Sequence, residues 1–550
     1  MRKSIKLLAL SMLALVLVLS GCNFSNSSST SSGDGKNQGE KTEAKKTLNL
    51  SLENDIPDLN QVKTTDGISF SVLNNIMEGL YRLDENHEAV PAMAESVDIS
   101  DDKLTYTFHI REGVKWSNGE VVTAHDFRYS WLRAMHPDTA GSYSFIIADY
   151  VKGGAEYLAG EAADSDVGIV AEDDQTLVVT INEPTPYFLG LTAFVTYFPL
   201  NEKFVTEAGD SFALTADKIL YNGPFTLTEY DQAAGVKLVK NDQYWDSYNV
   251  DIDEVSLKVI KENSTALNLF DAGELDKVYL SSSDILSYQD SEEYGTESKF
   301  NSWFLQMNLT KAPFDNLNIR KAFQLAVDPE ILTSQILNNG STPASGVVAA
   351  GMAGVDGQLF RELNPNLVTP DIEKAKEYLA AGLAEIGGKL PEVTILTADD
   401  TIAKDTATFL QSEFKKNLGV DVQISTKPYS GRLQAMRDDD YQLGINKWGA
   451  DYNDASTYLD LWVSVPEAKP LRGNYSSEKY NDLVAKSKTE KDEAKRMEYL
   501  LEAERVMVVE DSILTPLYDE GKAFLLNTDV SNFTTHPYGA PLELKYVKKN

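Results

Sequence analysis

VTILTADDTIAKDTATFLQSEFKKNLGVDVQI, residues 393–424, reads as strand, helix, strand within one short stretch. Val393 to Leu396 is a short, mostly apolar run. Ala403, Ala407, Leu410 and Phe414 then recur at spacings of four, three and four, which puts them on one face of a helix over Thr401 to Asn417. Gly419 stands where a helix C-terminal cap belongs, and Val420, Val422 and Ile424 alternate with polar residues. A β-α-β unit requires a parallel pair, so the sheet is parallel there and the class is α/β. Asp399-Asp400, like Asp438-Asp439-Asp440, reads as a solvated loop.

The same alternation continues on both sides. Leu104, Tyr106, Phe108 and Ile110 alternate with polar residues as in a half-buried strand. Thr123-Ala124-His125-Asp126 has the form of a capping box, and Phe127, Trp131, Leu132 and Met135 supply the helical face behind it. His109 then sits on the polar side of a strand and His125 in the first turn of a helix. Asp328-Pro329 opens another helix as N-cap and N1, closing at Gly340, and Lys491 to Glu510 reads as a long charged helix.

The chain has 550 residues, with 84 acidic and 50 basic side chains and a net charge of −34. Apolar residues at 42 % and charged ones at 24 % are a globular composition, and the length suits several domain-sized units. So acidic a surface repels nucleic acid and anionic lipid. A single cysteine, Cys22, excludes an intrachain disulfide or a zinc-thiolate cluster, and five scattered histidines do not suggest a metal centre. The nucleophile-elbow, zinc-protease and phosphate-loop motifs do not occur. Asp451-Tyr452-Asn453-Asp454 begins like a calcium loop, but Ser456 and Trp462 occupy the positions that need Gly and Glu. We therefore expect no metal and no cofactor.

The N-terminus is a separate signal. Arg2, Lys3 and Lys6 precede a thirteen-residue apolar run, Leu7 to Leu19, too short to span a bilayer but suited to a secretory leader. It ends in Leu19-Ser20-Gly21-Cys22, which resembles the bacterial lipobox. That resemblance implies a signal peptide over residues 1–21, cleavage before Cys22 and acylation of its thiol. Residues 22–46 are polar and Ser-rich and read as a disordered tether of roughly 25–30 Å. Loss of the leader leaves a charge of about −37.

Five ordered motifs carry a wider resemblance. Lys115-Trp116-Ser117-Asn118-Gly119-Glu120 with Thr123 to Phe127 comes first, then Tyr221-Asn222-Gly223-Pro224-Phe225 and Ala272-Gly273-Glu274-Leu275-Asp276. Pro313-Phe314-Asp315 with Arg320-Lys321-Ala322-Phe323 follows, and Trp448-Gly449-Ala450-Asp451-Tyr452-Asn453 closes the series. From about Lys46 onward the chain resembles the oligopeptide- and dipeptide-binding lipoproteins of ABC importers. The resemblance implies a type II, two-lobed periplasmic-binding-protein-like clamshell with an inserted subdomain. Lobe I would comprise residues 47–79, 202–300 and 519–550, with the inserted subdomain at 80–201 and lobe II at 301–518. The crossings are expected near Asn301 to Asn308 and Leu514 to Tyr518.

The resemblance also implies a function: a monomeric, non-enzymatic receptor, lipid-anchored on the outer face of a Gram-positive cytoplasmic membrane. It would capture oligopeptides and deliver them to the permease of an ABC importer. A signalling-peptide receptor, a receptor for another ligand such as a metal chelate, and a tethered hydrolase are the alternatives, in that order. Peptides of varied sequence share only a backbone and a charged amino terminus, so a receptor must read those by strand addition and by a carboxylate. The resemblance assigns the ammonium to Asp451 and the backbone to Asn446, Lys447, Trp448 and Gly449. A looser match adds Asp66, Gly67 and Ile68. From the residues alone Asp451 is a turn or cap aspartate and Asp66-Gly67 a turn, while Trp448 and Tyr452 either line side-chain pockets or pack. Enterobacterial relatives carry an arginine shortly before the tryptophan, where this chain has Gly444-Ile445-Asn446-Lys447. Arg432, Arg437 and Lys447 are candidate substitutes.

Overall fold

In the computed structural model, which describes residues 45–139, 141, 143–463 and 470–550, Val393–Ala398 and Val422–Lys427 are strands in parallel register, Val393 opposite Val422. The helix between them runs Thr401–Leu418 and buries Ala403, Ala407, Leu410 and Phe414. Asp400 is its N-cap, accepting the Ala403 amide at 2.9 Å, so this carboxylate is a structural device and not a free loop charge. Gly419 closes the helix at φ 71°, a conformation glycine adopts without steric cost.

The helix expected to reach Gly340 stops earlier. Pro329–Ile331 continues as the wide turn Leu332–Leu337 and ends at Asn338, whose φ is 42°. The charged helix near the C-terminus starts at the Asp492 cap, runs Glu493–Arg505 and widens in the same way over Val506–Glu510.

The β-α-β unit belongs to a seven-stranded sheet. Its order is Lys277–Tyr279, Leu514–Leu526, Tyr294–Met307, Leu443–Gly449, Val393–Ala398, Val422–Lys427, with Thr342–Pro343 also paired to Leu514–Leu526. Two long antiparallel strands, Tyr294–Met307 and Leu514–Leu526, run through both ends of it. At one end Tyr294 to Ser298 pair with Leu525 to Gly521, next to Lys277–Tyr279; at the other Ser302 to Gln306 pair with Asp519 to Leu514, next to Leu443–Gly449. The register slips between Ser298 and Ser302 and again between Trp303 and Phe304. Bulges of this kind bend a strand pair locally.

A mixed sheet of four strands pairs Thr47–Leu52 in parallel with Glu254–Val259, followed by Gly235–Lys240 and Phe225–Asp231. An antiparallel sheet, Ala94–Ile99, Thr105–Ile110, Thr176–Thr180 and Ile169–Ala171, packs beside helix Ala124–Met135, which starts in the expected Thr123–Asp126 capping box. One hydrophobic core joins Phe108, Trp131 and Phe198 to Tyr452, Trp462, Tyr480 and Leu500; a second gathers Leu305, Phe323, Ile395, Phe414 and Leu443. Among the described residues no helix is long and apolar enough to cross a membrane. The leader, Cys22 and nearly all of the tether lie outside them.

Candidate functional site

Strand Leu443–Gly449 is paired along its whole length on one side, from Leu443 opposite Met307 to Gly449 opposite Asn301. On its other side the neighbouring strand pairs only with Leu443 and Gly444. Among the described residues, the edge from Ile445 to Gly449 therefore has no strand partner; the Ile445 carbonyl is taken by Arg432, and the edge beyond it is open to strand addition. A Cβ at Gly449 would lie 2.3 Å from Asn301 Oδ1, so that side chain would have to move aside.

The chain leaves this strand at Ala450, whose amide donates to the Phe300 carbonyl at 2.8 Å, and turns into Asp451. The Asp451 amide donates to Thr457 Oγ1 at 3.2 Å, and its carboxylate accepts the Tyr143 hydroxyl at 3.4 Å. No lysine, arginine or histidine among the described residues reaches that carboxylate. Burial pushes its pKa up to about 6, with the Tyr143 hydroxyl pulling the other way. Tyr143 lies edge-on to Phe70 and stacks on Phe194, so aromatic rings wall the carboxylate. Asp451 stands in a run of bends and its carboxylate caps no helix; the Ser456 amide that opens the following short helix goes to Asp454 at 2.9 Å, itself held by Arg496 at 2.7 and 2.8 Å.

Asp66 is a helix N-cap, accepting the amides of Ile68 at 3.0 Å and Ser69 at 2.9 Å and the Thr64 hydroxyl at 3.0 Å. Its carboxylate is committed to that helix, as are the Ile68 amide and the Gly67 carbonyl, which accepts the Ser71 hydroxyl at 2.6 Å. The helix, Gly67–Ile76, carries Phe70, which touches Tyr143, the partner of Asp451. The two segments singled out in the sequence thus meet through two aromatic side chains.

The remaining candidates divide. Asn446 donates to Gln306 Oε1 at 3.0 Å and accepts Arg432, which also donates to the Ile445 carbonyl at 2.9 Å. Lys447 pairs with Glu520 at 3.2 Å and lies over the Trp303 ring. Asn446, Lys447, Arg432 and Glu520 line a cavity of about 340 Å³ with the stacked rings of Trp303 and Tyr518. Of the three basic candidates, Arg432 is the buried one against the strand, and Arg437 is exposed. Trp448 is half-buried beneath Arg472, and its buried indole N–H has no acceptor among the described residues. Tyr452 packs, the second of the two alternatives: it stacks on Tyr187 at 4.3 Å and meets the Tyr150 hydroxyl at 3.3 Å. Tyr143 was missed, since it lies 308 residues from Asp451 in an unremarkable aromatic stretch. Among the described residues no group of His, Cys, Asp and Glu is placed to hold a metal.

Residues 88–469 match the family model for bacterial extracellular solute-binding proteins, family 5. The chain is 33 % identical over 539 residues to a dipeptide-binding protein of Bacillus subtilis, covering 98 % of each. It superposes with a TM-score of 0.76 on the substrate-binding domain of an oligopeptide ABC transporter from Bacillus anthracis, at 36 % identity, over 93 % of this chain and all of that one. Against a peptide-bound oligopeptide-binding protein of Listeria monocytogenes the TM-score is 0.75 at 35 % identity, over 92 % and 99 %.

Proposed function

The chain belongs to the bacterial extracellular solute-binding proteins, family 5, with their two-lobed type II clamshell fold, and we propose that it is a peptide receptor feeding an ABC importer. Members of this family bind solutes and are not enzymes. The observation that carries the peptide reading is the edge Asn446 to Gly449, which has no strand partner among the described residues and ends two residues before a carboxylate that no cation among them meets. A peptide laid along that edge would exchange backbone hydrogen bonds with Asn446 to Gly449 and bring its ammonium to Asp451. Gly67 and Ile68 would meet its backbone from the opposite side, and the cavity beside Trp303 would receive a side chain. Relatives named for dipeptide and oligopeptide binding support this reading.

The slips at Ser298–Ser302 and Trp303–Phe304 suit a hinge between lobes, and closure there would take the bound peptide out of water. Lobe boundaries at 47–79, 202–300, 519–550, 80–201 and 301–518 belong to the same proposal. So do a lipid anchor at Cys22 and a place on the outer face of the cytoplasmic membrane. Native mass spectrometry of the purified protein tests the ligand: bound masses should match short peptides. A single non-peptide mass, or no binding of any peptide supplied, would overturn the reading. Cys22→Ser should shift the protein from membrane to medium; an unchanged membrane fraction would remove the anchor.

A further inference from the structure

Two hairpins far apart in the sequence meet through their histidines. Tyr81–Leu83 and Ala89–Pro91 form one, with His87 in its turn at φ 66°. Thr534–Thr535 and Leu542–Glu543 form the other, and His536 opens its loop. The two Nδ1 atoms lie 3.0 Å apart, a hydrogen-bond distance, with the rings edge to face. His536 is 2 % exposed, and His87 is half-buried. The Tyr538 hydroxyl donates to the His87 carbonyl and completes the junction.

A hydrogen bond between two Nδ1 atoms needs one proton and one lone pair, so the facing nitrogens hold a single proton between them. The other nitrogen of His536, Nε2, is buried and meets no partner among the described residues. A bare lone pair is the lesser defect there, because a stranded N–H is the rarer one in folded proteins; His536 therefore donates from Nδ1 and His87 accepts. A further proton has two places to go. On His87 Nδ1 it sets N–H against N–H; on His536 Nε2 it makes a buried cation with an unmet donor. Burial pushes His536 down to about 4 and lowers His87 as well. Glu543 and Asp84 favour a charged imidazole, but Glu543 is bound by Arg82 at 2.6 Å, and the positive charges of Arg82 and, toward His87, Lys299 oppose it.

The second hairpin reaches the strand that crosses between the lobes. Its Pro537 carbonyl accepts the Phe300 amide at 3.1 Å, and the Tyr538 ring stacks on Phe300 at 5.8 Å. Phe300 lies within the register slip between Ser298 and Ser302, the segment proposed as hinge. Its carbonyl accepts the amide of Ala450, next to Asp451, at 2.8 Å. We infer that the His87–His536 contact is an acid-sensitive latch: neutral, it holds the C-terminal hairpin against the hinge strand, and a second proton releases it, so that ligand is held less tightly in mild acid. The ligand part rests on the peptide reading; the latch itself does not.

Hydrogen exchange of the unliganded chain, read by mass spectrometry and corrected for the intrinsic pH dependence, tests the latch. An imidazole held near 4 when latched and ordinary at about 6.5 when released stabilises the contact above that window and loses it as pH falls. Protection over residues 533–541 and 298–302 should therefore fall about 10- to 30-fold from pH 7 to pH 5, while helix Thr401–Leu418 stays level. His536→Asn keeps a donor for His87 without the titrating ring, so its protection should be the same at both pH values. Nitrogen NMR of the histidine-labelled natural chain reads the protons without a substitution: His536 should be the Nδ1–H tautomer at pH 7 and titrate below the exposed His125. Flat protection in the natural chain, a fall that His536→Asn shares, or a His536 that titrates with His125 would each overturn the inference. Affinity for N-acetylated alanine peptides, which lack the ammonium that Asp451 would meet, should fall more steeply from pH 7 to pH 5 in the natural chain than in His536→Asn; equal dependence would overturn the coupling to ligand. If no peptide binds while protection falls as stated, the latch stands and the peptide reading falls.

Discussion

Asp451 and Glu297 are both covered carboxylates, and the protein treats them in opposite ways. Asp451 accepts the Tyr143 hydroxyl, whose ring packs on Phe70 and Phe194; no cation among the described residues reaches it, and its carboxyl is pushed up to about 6. Glu297 has two ammonium groups at 2.8 Å and is held at about 2. Burial acts on both in the same direction, against the charged form; the neighbours decide the outcome. Among the described residues Asp451 meets no cation, whereas Glu297 meets two.

The largest effect should come at Asp451. An enclosed ammonium without a counter-charge is costly, so Asp451→Asn should weaken peptide binding by roughly 2–5 kcal/mol, or about 30- to several-thousand-fold. N-acetylation of the peptide should weaken binding to the natural chain similarly, yet weaken the variant far less, because the two changes remove one interaction. Calorimetric titration of both proteins with both peptides closes the cycle. Strictly additive losses would mean that Asp451 does not hold the ammonium.

The second effect is on stability and separates the regions by sign. Glu297→Gln leaves Lys277 and Lys299 without a counter-charge and should cost about 3–5 kcal/mol, read from urea denaturation of the unliganded protein. Asp451→Asn removes an uncompensated charge and should leave stability level or raise it. Equal destabilisation by both would erase the contrast.

The smallest effect is the pH dependence of the unliganded fold. A raised carboxyl keeps its proton in the folded state when the unfolded chain has lost it, so the Asp451 contribution falls as pH rises from about 4 to 6. Glu297 does the reverse: its contribution is present above about 4.5 and is lost as pH falls toward 2. Against the natural chain, Asp451→Asn should therefore gain on the order of 1–2 kcal/mol in relative stability across pH 4–6. A difference that stays flat across that window would show that Asp451 is not desolvated.

Elements set by neighbours in sequence were legible before any coordinates. Residues 393–424 carry their own apolar spacing, a cap aspartate and a closing glycine, and all of that acts within a few turns. The ends of the other helices were less legible. Asn338 rather than Gly340 ends its helix, because the intervening turn widens. Of the candidate site residues, Trp448, Gly449 and Asp451 came from an ordered motif, with Asn446 and Lys447 just before it, and they stand at one strand end. Tyr452 stood in the same motif and packs instead, since its place against Tyr187 and Tyr150 depends on a distant part of the chain.

What the sequence determined by itself was the class of fold, the absence of an intrachain disulfide, the acidic surface and the family motifs, because composition and short spacings encode each of these. Only the tertiary structure decided which charges are compensated. Tyr143 meets Asp451 across 308 positions, and Lys277 meets Glu297 because both strands pair with Leu514–Leu526. A charge is costly or harmless according to what lies within a few ångströms of it, and that is settled by packing between segments far apart in the chain.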